Sequence, residues 1–125
     1  MKNPTPGRPG GFWQPSPWYL AQVVHVLAGA AVLLAAHVRG WNVYTSVAIF
    51  LAVAAFKEFA IDTSPFEKDS WLGSAQDFAA YAAGACAGLV AGFAFWEGAA
   101  LAGGTILILF VTDLVRNADW SLPYD

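Results

Sequence analysis

The sequence predicts an all-α, polytopic integral membrane protein: four transmembrane helices, with three as the alternative, behind a Pro/Gly-rich N-terminal tail. Three observations predict it. Of the 125 residues, 58% are hydrophobic and only 12% charged, and mean hydropathy is +0.51. A soluble domain carries about 25% charged residues, so this chain lacks the polar groups to cover a water-facing surface. The apolar residues also fall into four runs parted by Gly, Pro and polar breaks, and most charged groups collect on one side of the resulting topology.

Residues 1–17 hold five of the seven prolines and three glycines. That mixture forms neither helix nor strand and reads as an extended cytoplasmic tail. It is not expected to be a secretory leader, because its prolines precede an apolar run too long for one. A bundle over 18–116 follows, with spans at about 18–38, 43–61, 77–96 and 99–116, and a C-terminal tail over 117–125. Crossing a bilayer takes about 20 apolar residues, with about 17 as the lower limit. Trp18–Val38 and Phe78–Trp96 meet that outright. Val43–Ile61, with Lys57 and Glu58 near its end, and Ala99–Val115, with Asp113 near its end, meet it if those ends sit among head-groups. The alternative of one helix over 78–115 would run roughly 57 Å, far beyond the hydrocarbon core. A turn at Glu97-Gly98 is therefore expected.

Four spans place Lys2, Arg8, Lys57, Lys68 and Arg116 on one side and Arg39 alone on the other. The positive-inside bias then puts both termini and the 62–77 loop in the cytoplasm. Trp18, Tyr19, Trp41, Tyr44, Trp71, Trp96 and Trp120 fall at span boundaries, where interfacial aromatics belong.

This topology stacks the ionisable groups in one leaflet. His25 lies about 10 Å below the cytoplasmic end of the first span. Glu58 and Asp62 share a face at the end of the second, Asp77 and Tyr81 open the third, and Asp113 and Arg116 close the fourth. On a helical wheel Asp77, Tyr81, Gly84, Gly88 and Gly92 fall within about 80°. The glycines form a small-residue ladder for close helix packing, which turns Asp77 and Tyr81 into the bundle. Ionisable groups at such depth are costly and by default mark function, so Glu58, Asp77, His25 and Tyr81 are the catalytic candidates. The alternative is that they lie among head-groups, solvated or paired as Lys57–Glu58 and Asp113–Arg116; His37, beside Arg39, reads as a solvated boundary residue.

Lys57-Glu58, Ser74-Ala75-Gln76-Asp77, Tyr81, Gly84 and Gly88 together resemble the VanZ-like membrane proteins. That family ends one helix with an acidic pair and opens the next with S-x-x-D-x-x-x-N-x-x-G-x-x-x-G; it also has a histidine in its first helix, which His25 matches. The resemblance covers residues 57–92. Lys57 replaces the first acid, Tyr81 stands in place of Asn, Ile61 in place of Gln, and Ala21-Gln22 in place of an acidic-basic pair. The resemblance implies a bacterial inner (cytoplasmic) membrane and an envelope role, without a defined reaction.

Other chemistries find little support. Six scattered Lys/Arg form no nucleic-acid stripe, and the single Cys86 excludes a disulfide framework and a Cys-based zinc site. His25 and His37 are about 18 Å apart along one helix, too far for bis-histidine haem. His25, Glu58 and Asp77 could bind zinc only if their helices converged, so no metal is expected. There is no phosphate loop, nucleophile elbow or H-E-x-x-H, and no inverted repeat of a transporter.

Three functions remain. With no complete catalytic set visible, the first is a non-catalytic accessory or scaffold subunit of a respiratory or photosynthetic type of membrane complex, held to other membrane subunits through Phe12, Trp13 and Trp18. The second is a VanZ-like envelope protein acting on a lipid-linked or amphiphilic substrate, with Glu58 and Asp77 as acid/base pair and His25 assisting. The third is a carrier of haem or chlorophyll on His25; no other cofactor is expected.

Overall fold

A computed structural model describes residues 15–61 and 71–118, the side chains of 71, 72 and 116–118 excepted. Phe12, Trp13, Asp62, Lys68 and Trp120, and both tails beyond these limits, lie outside the described residues. Within them the chain is all-helical: α1 (Pro17–Val38), α2 (Val43–Ala55) continuing into a π-helical turn (Phe56–Ile61), α3 (Trp71–Phe93) and α4 (Phe95–Ala118).

Local chemistry sets the ends of the first two helices. Ser16 caps α1, its Oγ accepting from Tyr19 N at 3.1 Å, and Pro17 occupies the first turn, where a missing N–H costs nothing. The helix closes on Gly40, whose φ of 76° suits only a residue without Cβ. Gly40 N donates to His37 O and Trp41 N to Ala36 O, the paired bonds of a Schellman stop. Asn42 then caps α2 through Oδ1 and Thr45 N at 3.0 Å.

Three helices, Pro17–Val38, Val43–Ile61 and Phe95–Val115, are long and apolar enough to cross a membrane. Only 11% of the apolar window in each of the last two is buried within the protein, so their apolar faces need lipid. Val53, Phe56, Leu107 and Ile108 are among the side chains left outward. The hydroxyls of Thr105 and Thr112 donate back to Leu101 O and Ile108 O, as hydroxyls in hydrocarbon must find a local acceptor.

Helix α3 departs from expectation. Phe78–Trp96 reads as an outright span, yet α3 is not among the three helices that qualify. Its composition is Ala and Gly with Gln76 and Asp77 at one end, because it is the central helix, packed most extensively on α1 and also on α4 and α2. A helix that meets protein on several sides buries small residues and need not be strongly hydrophobic.

Glycines set how closely the helices approach. A methyl at Gly29 would lie 2.5 Å from Tyr81 O, one at Gly88 would lie 2.5 Å from Ala30 O, and one at Gly84 would overlap Val26 O. The backbones of α1 and α3 are thus in direct contact. The expected turn at Glu97-Gly98 falls instead at Ala94, and Gly98 serves close packing, since a Cβ there would run into Ala91. Gly98 lets α4 fold back against α3 rather than making the bend. Cross-helix bonds fix the register. Ser16 N and Oγ both donate to buried Asp113, joining the start of α1 to the end of α4, and Trp18 Nε1 donates to Gln76 Oε1 at 3.2 Å. The starts of α1 and α3 and the end of α4 therefore lie at the same end of the bundle, and the turn after α2 joins them there, its Phe59 ring 5.8 Å from that of Phe78.

Candidate functional site

That shared end carries the polar residues. His25 stands two turns into α1, Glu58 in the π-helical turn after α2, and Asp77 in the second turn of α3. One potential ligand atom of each lies within 4.8 Å of the others. Three side chains remote in sequence thus meet, each from a different element.

The surroundings hold each of them. Glu58 is 0% exposed, and Lys57 Nζ reaches its Oε2 at 2.8 Å while the lysine side chain remains 48% exposed. The π-helical turn permits this: its wider winding re-aims successive side chains, and π-turns recur at functional positions. Gln22, buried on α1 one turn before His25, donates through Nε2 to Asp77 Oδ1. The rings of His25 and Tyr81 meet edge-on, with centroids 4.3 Å apart and planes at 73°. Phe50 of α2 packs on the other partner, Tyr81, at 5.8 Å. Ser74, one turn before Asp77, is fully buried, and its hydroxyl has no hydrogen-bond partner among the described residues.

A groove of about 360 Å³ lies beside this cluster between α1, α3 and α4. Trp18, Gln22, Gln76, Ala80, Ala83 and Leu109 are among its walls. It is predominantly apolar, and Gln22 belongs both to the groove and, through Asp77, to the cluster.

The four residues singled out in the sequence therefore lie together: His25, Glu58 and Asp77 as a triad and Tyr81 against the imidazole. The ladder of Gly84, Gly88 and Gly92 lies on the same face of α3, its first two glycines against the α1 backbone and Gly92 beneath the ring of His37, 2.6 Å from where a Cβ would sit. His37 is thus half-buried against Gly92 and Phe93 at the opposite end, rather than freely solvated, and takes no part in the triad. Asp113 accepts from Ser16, and the side chain of Arg116, its expected neighbour, lies outside the described residues. Two features escape sequence reasoning. No residue pattern signals the π-helical turn, and Ser74 stands out only through the VanZ-like motif, though a serine one turn before an acid at a helix start is a signal that could flag it.

Compared with known proteins, the chain matches no family model, no curated relative and no solved structure.

Proposed function

We propose that this chain is an integral membrane protein of four spans that acts on a lipid-linked or amphiphilic substrate through an acid–base site built from His25, Glu58 and Asp77. The observation that carries this is the convergence of those three side chains, from three elements, within 4.8 Å. The accessory-subunit reading rests on a small bundle, Ala- and Gly-rich helices and the lack of a complete catalytic set; with the three side chains together the last of these supports weakens, and a reactive site becomes the stronger reading. Imidazole beside carboxylate is a standard arrangement for proton transfer, and a positioned acid or base contributes about 10²–10⁴-fold to rate. The neighbouring apolar groove gives the substrate class: a hydrocarbon tail lies against Ala80, Ala83 and Leu109 while the polar head reaches past Gln22. The resemblance to VanZ-like proteins, carried by Glu58, Ser74 and Asp77, accords with an envelope substrate and a bacterial inner membrane.

The fourth span is α3, because it packs parallel to α1 and antiparallel to α2 and α4, helices that are themselves apolar enough to cross. In this orientation the triad faces the cytoplasmic leaflet, with Lys57 on the side favoured by the positive-inside bias. Single-cysteine labelling in a Cys86→Ser background checks the topology. Cysteines at Asn3 and Asp69 are expected to react from one side of a sealed vesicle, and those at Gly40 and Glu97 from the other. Asp69 and Glu97 reacting from the same side would remove α3 from the membrane.

Turnover tests the chemistry. The protein in nanodiscs is incubated with a panel of lipid phosphates, pyrophosphates and phosphodiesters, and products are followed by mass spectrometry. Asp77→Asn and Glu58→Gln are each expected to lower turnover at least about 100-fold with the fold intact. Ala83→Phe, which fills the groove, is expected to raise KM for long-chain substrates above all. No turnover of any amphiphile by the wild type, or full turnover by both carboxamide variants, overturns the reading.

A further inference from the structure

We propose that His25, Glu58 and Asp77 bind one divalent transition-metal ion, with Zn2+ the ion they suit best; this deepens the functional reading above and rests on it for the ion's chemical use. The geometry comes first. One ligand atom from each residue lies within 4.8 Å of the other two. Zinc bonds of about 2.0–2.2 Å to nitrogen and oxygen set tetrahedral ligands roughly 3.3 Å apart. Closing the triad therefore takes at most about 1.5 Å, within the reach of side-chain rotation.

The donor set gives the ion class. One imidazole with two carboxylates is a borderline-to-hard combination that suits Zn2+, Mn2+ or Fe2+. Mg2+ prefers oxygen ligands and keeps much of its water, while a soft ion such as Cu+ would need thiolate; Cys86 is exposed elsewhere on α3. Three protein ligands leave a coordination position open for water or substrate, the arrangement of catalytic rather than structural zinc.

Charge supplies the reason for an ion. Two carboxylates within 4.8 Å in a low-dielectric bundle repel each other; the Lys57 ammonium offsets one of them, and a divalent cation between them relieves the repulsion that remains. The ligands are also held from behind, as metal ligands commonly are. Gln22 Nε2 holds Asp77, Lys57 Nζ holds Glu58 at 2.8 Å, and Tyr81 braces the imidazole at 4.3 Å. Ser74, fully buried one turn from Asp77 with its hydroxyl unpartnered among the described residues, adds a polar group at the same level of α3.

The test uses the full chain in detergent, stripped with a chelator, titrated with Zn2+ alone and desalted before elemental analysis. Co2+ loading is read in parallel by its visible d–d bands. About one Zn2+ per chain is expected. His25→Ala and Asp77→Asn should each weaken binding at least about 100-fold, and Gln22→Ala about 10–100-fold, as loss of an orienting partner does. His37→Gln, at the opposite end, should leave the stoichiometry at one. Asp77→Asn nearly preserves shape, and circular dichroism with a monodisperse elution profile shows that each variant is folded. Affinity should also fall as pH is lowered, because protons compete with the metal for its ligands. A wild type that retains no Zn2+, or folded variants that retain as much as the wild type, overturns the proposal. If turnover survives the chelator yet is lost in Asp77→Asn, the metal is refuted and the acid–base reading stands. If Zn2+ binds as expected while no amphiphile is turned over, the functional reading is the one refuted.

Discussion

Gly84→Leu is expected to prevent the bundle from assembling, with a cost at or above the top of the range of about 1–3 kcal/mol seen when a core is overpacked. A Cβ at Gly84 overlaps Val26 O, a backbone atom of α1 that no rotamer change can move. In lipid there is no hydrophobic drive to hold two helices together, so association depends on close packing. Gly88→Leu should cost nearly as much, since Ala30 O lies 2.5 Å from the added carbon. Gly92→Leu should cost less, because the obstruction there is the ring of His37, which can rotate away. Gly103→Leu and Gly104→Leu meet nothing within 4 Å and should behave like the wild type. Thermal unfolding in detergent, followed by circular dichroism and elution profile, orders the five variants. If Gly84→Leu unfolds with Gly103→Leu, the α1–α3 contact does not hold the bundle together.

The same glycines show how much of the architecture is legible in helix period alone. Their four-residue spacing, in phase with Asp77 and Tyr81, sets one face of α3 against a neighbour, and depth counting gathers His25, Glu58 and Asp77 at one end. Both deductions need only helix period and span order. Phase says which way a side chain points, but not how near an opposing helix comes, so the meeting of three elements within 4.8 Å lies beyond it. Element ends are harder for a related reason. Ser74 and Gln76 carry no apolar rhythm and precede the expected start of the third span at 77, yet α3 starts at Trp71 and takes them into its first turns. Glu97-Gly98 looks like a turn because both residues favour one; the break falls at Ala94 because Gly98 is required for contact with Ala91. Local propensity and tertiary contact compete for a glycine, and here contact wins.

The hydropathy of α3 follows the same logic. In the outer helices lipid contact selects large apolar residues, and α1, α2 with its π-turn, and α4 are visibly apolar. In α3 backbone contact selects Ala and Gly, whose transfer free energies are small, so a run that reads in sequence as an outright span is not among the three helices apolar enough to cross.

In the metal-free protein Lys57→Met is expected to destabilise by about 3 kcal/mol, near the low end of the cost of removing one partner of a buried ion pair. Glu58 is 0% exposed and Lys57 Nζ lies 2.8 Å from its Oε2; without the ammonium a full charge is left in a medium that solvates it poorly. The figure stays at the low end because Lys57 is itself 48% exposed and already partly hydrated. Glu58→Gln should cost less than Lys57→Met, since a carboxamide needs no counter-charge and a half-exposed lysine can turn to water. The double variant should then recover most of the loss, giving a coupling of about 1–3 kcal/mol between the two positions. Chemical denaturation in mixed micelles, run on both single variants and the double, measures that coupling. Additive losses would mean that Glu58 draws its charge balance from other groups of the site. A large coupling would mean that the π-helical turn, by presenting Lys57 and Glu58 together, is what allows a carboxylate to be held at this depth beside His25 and Asp77.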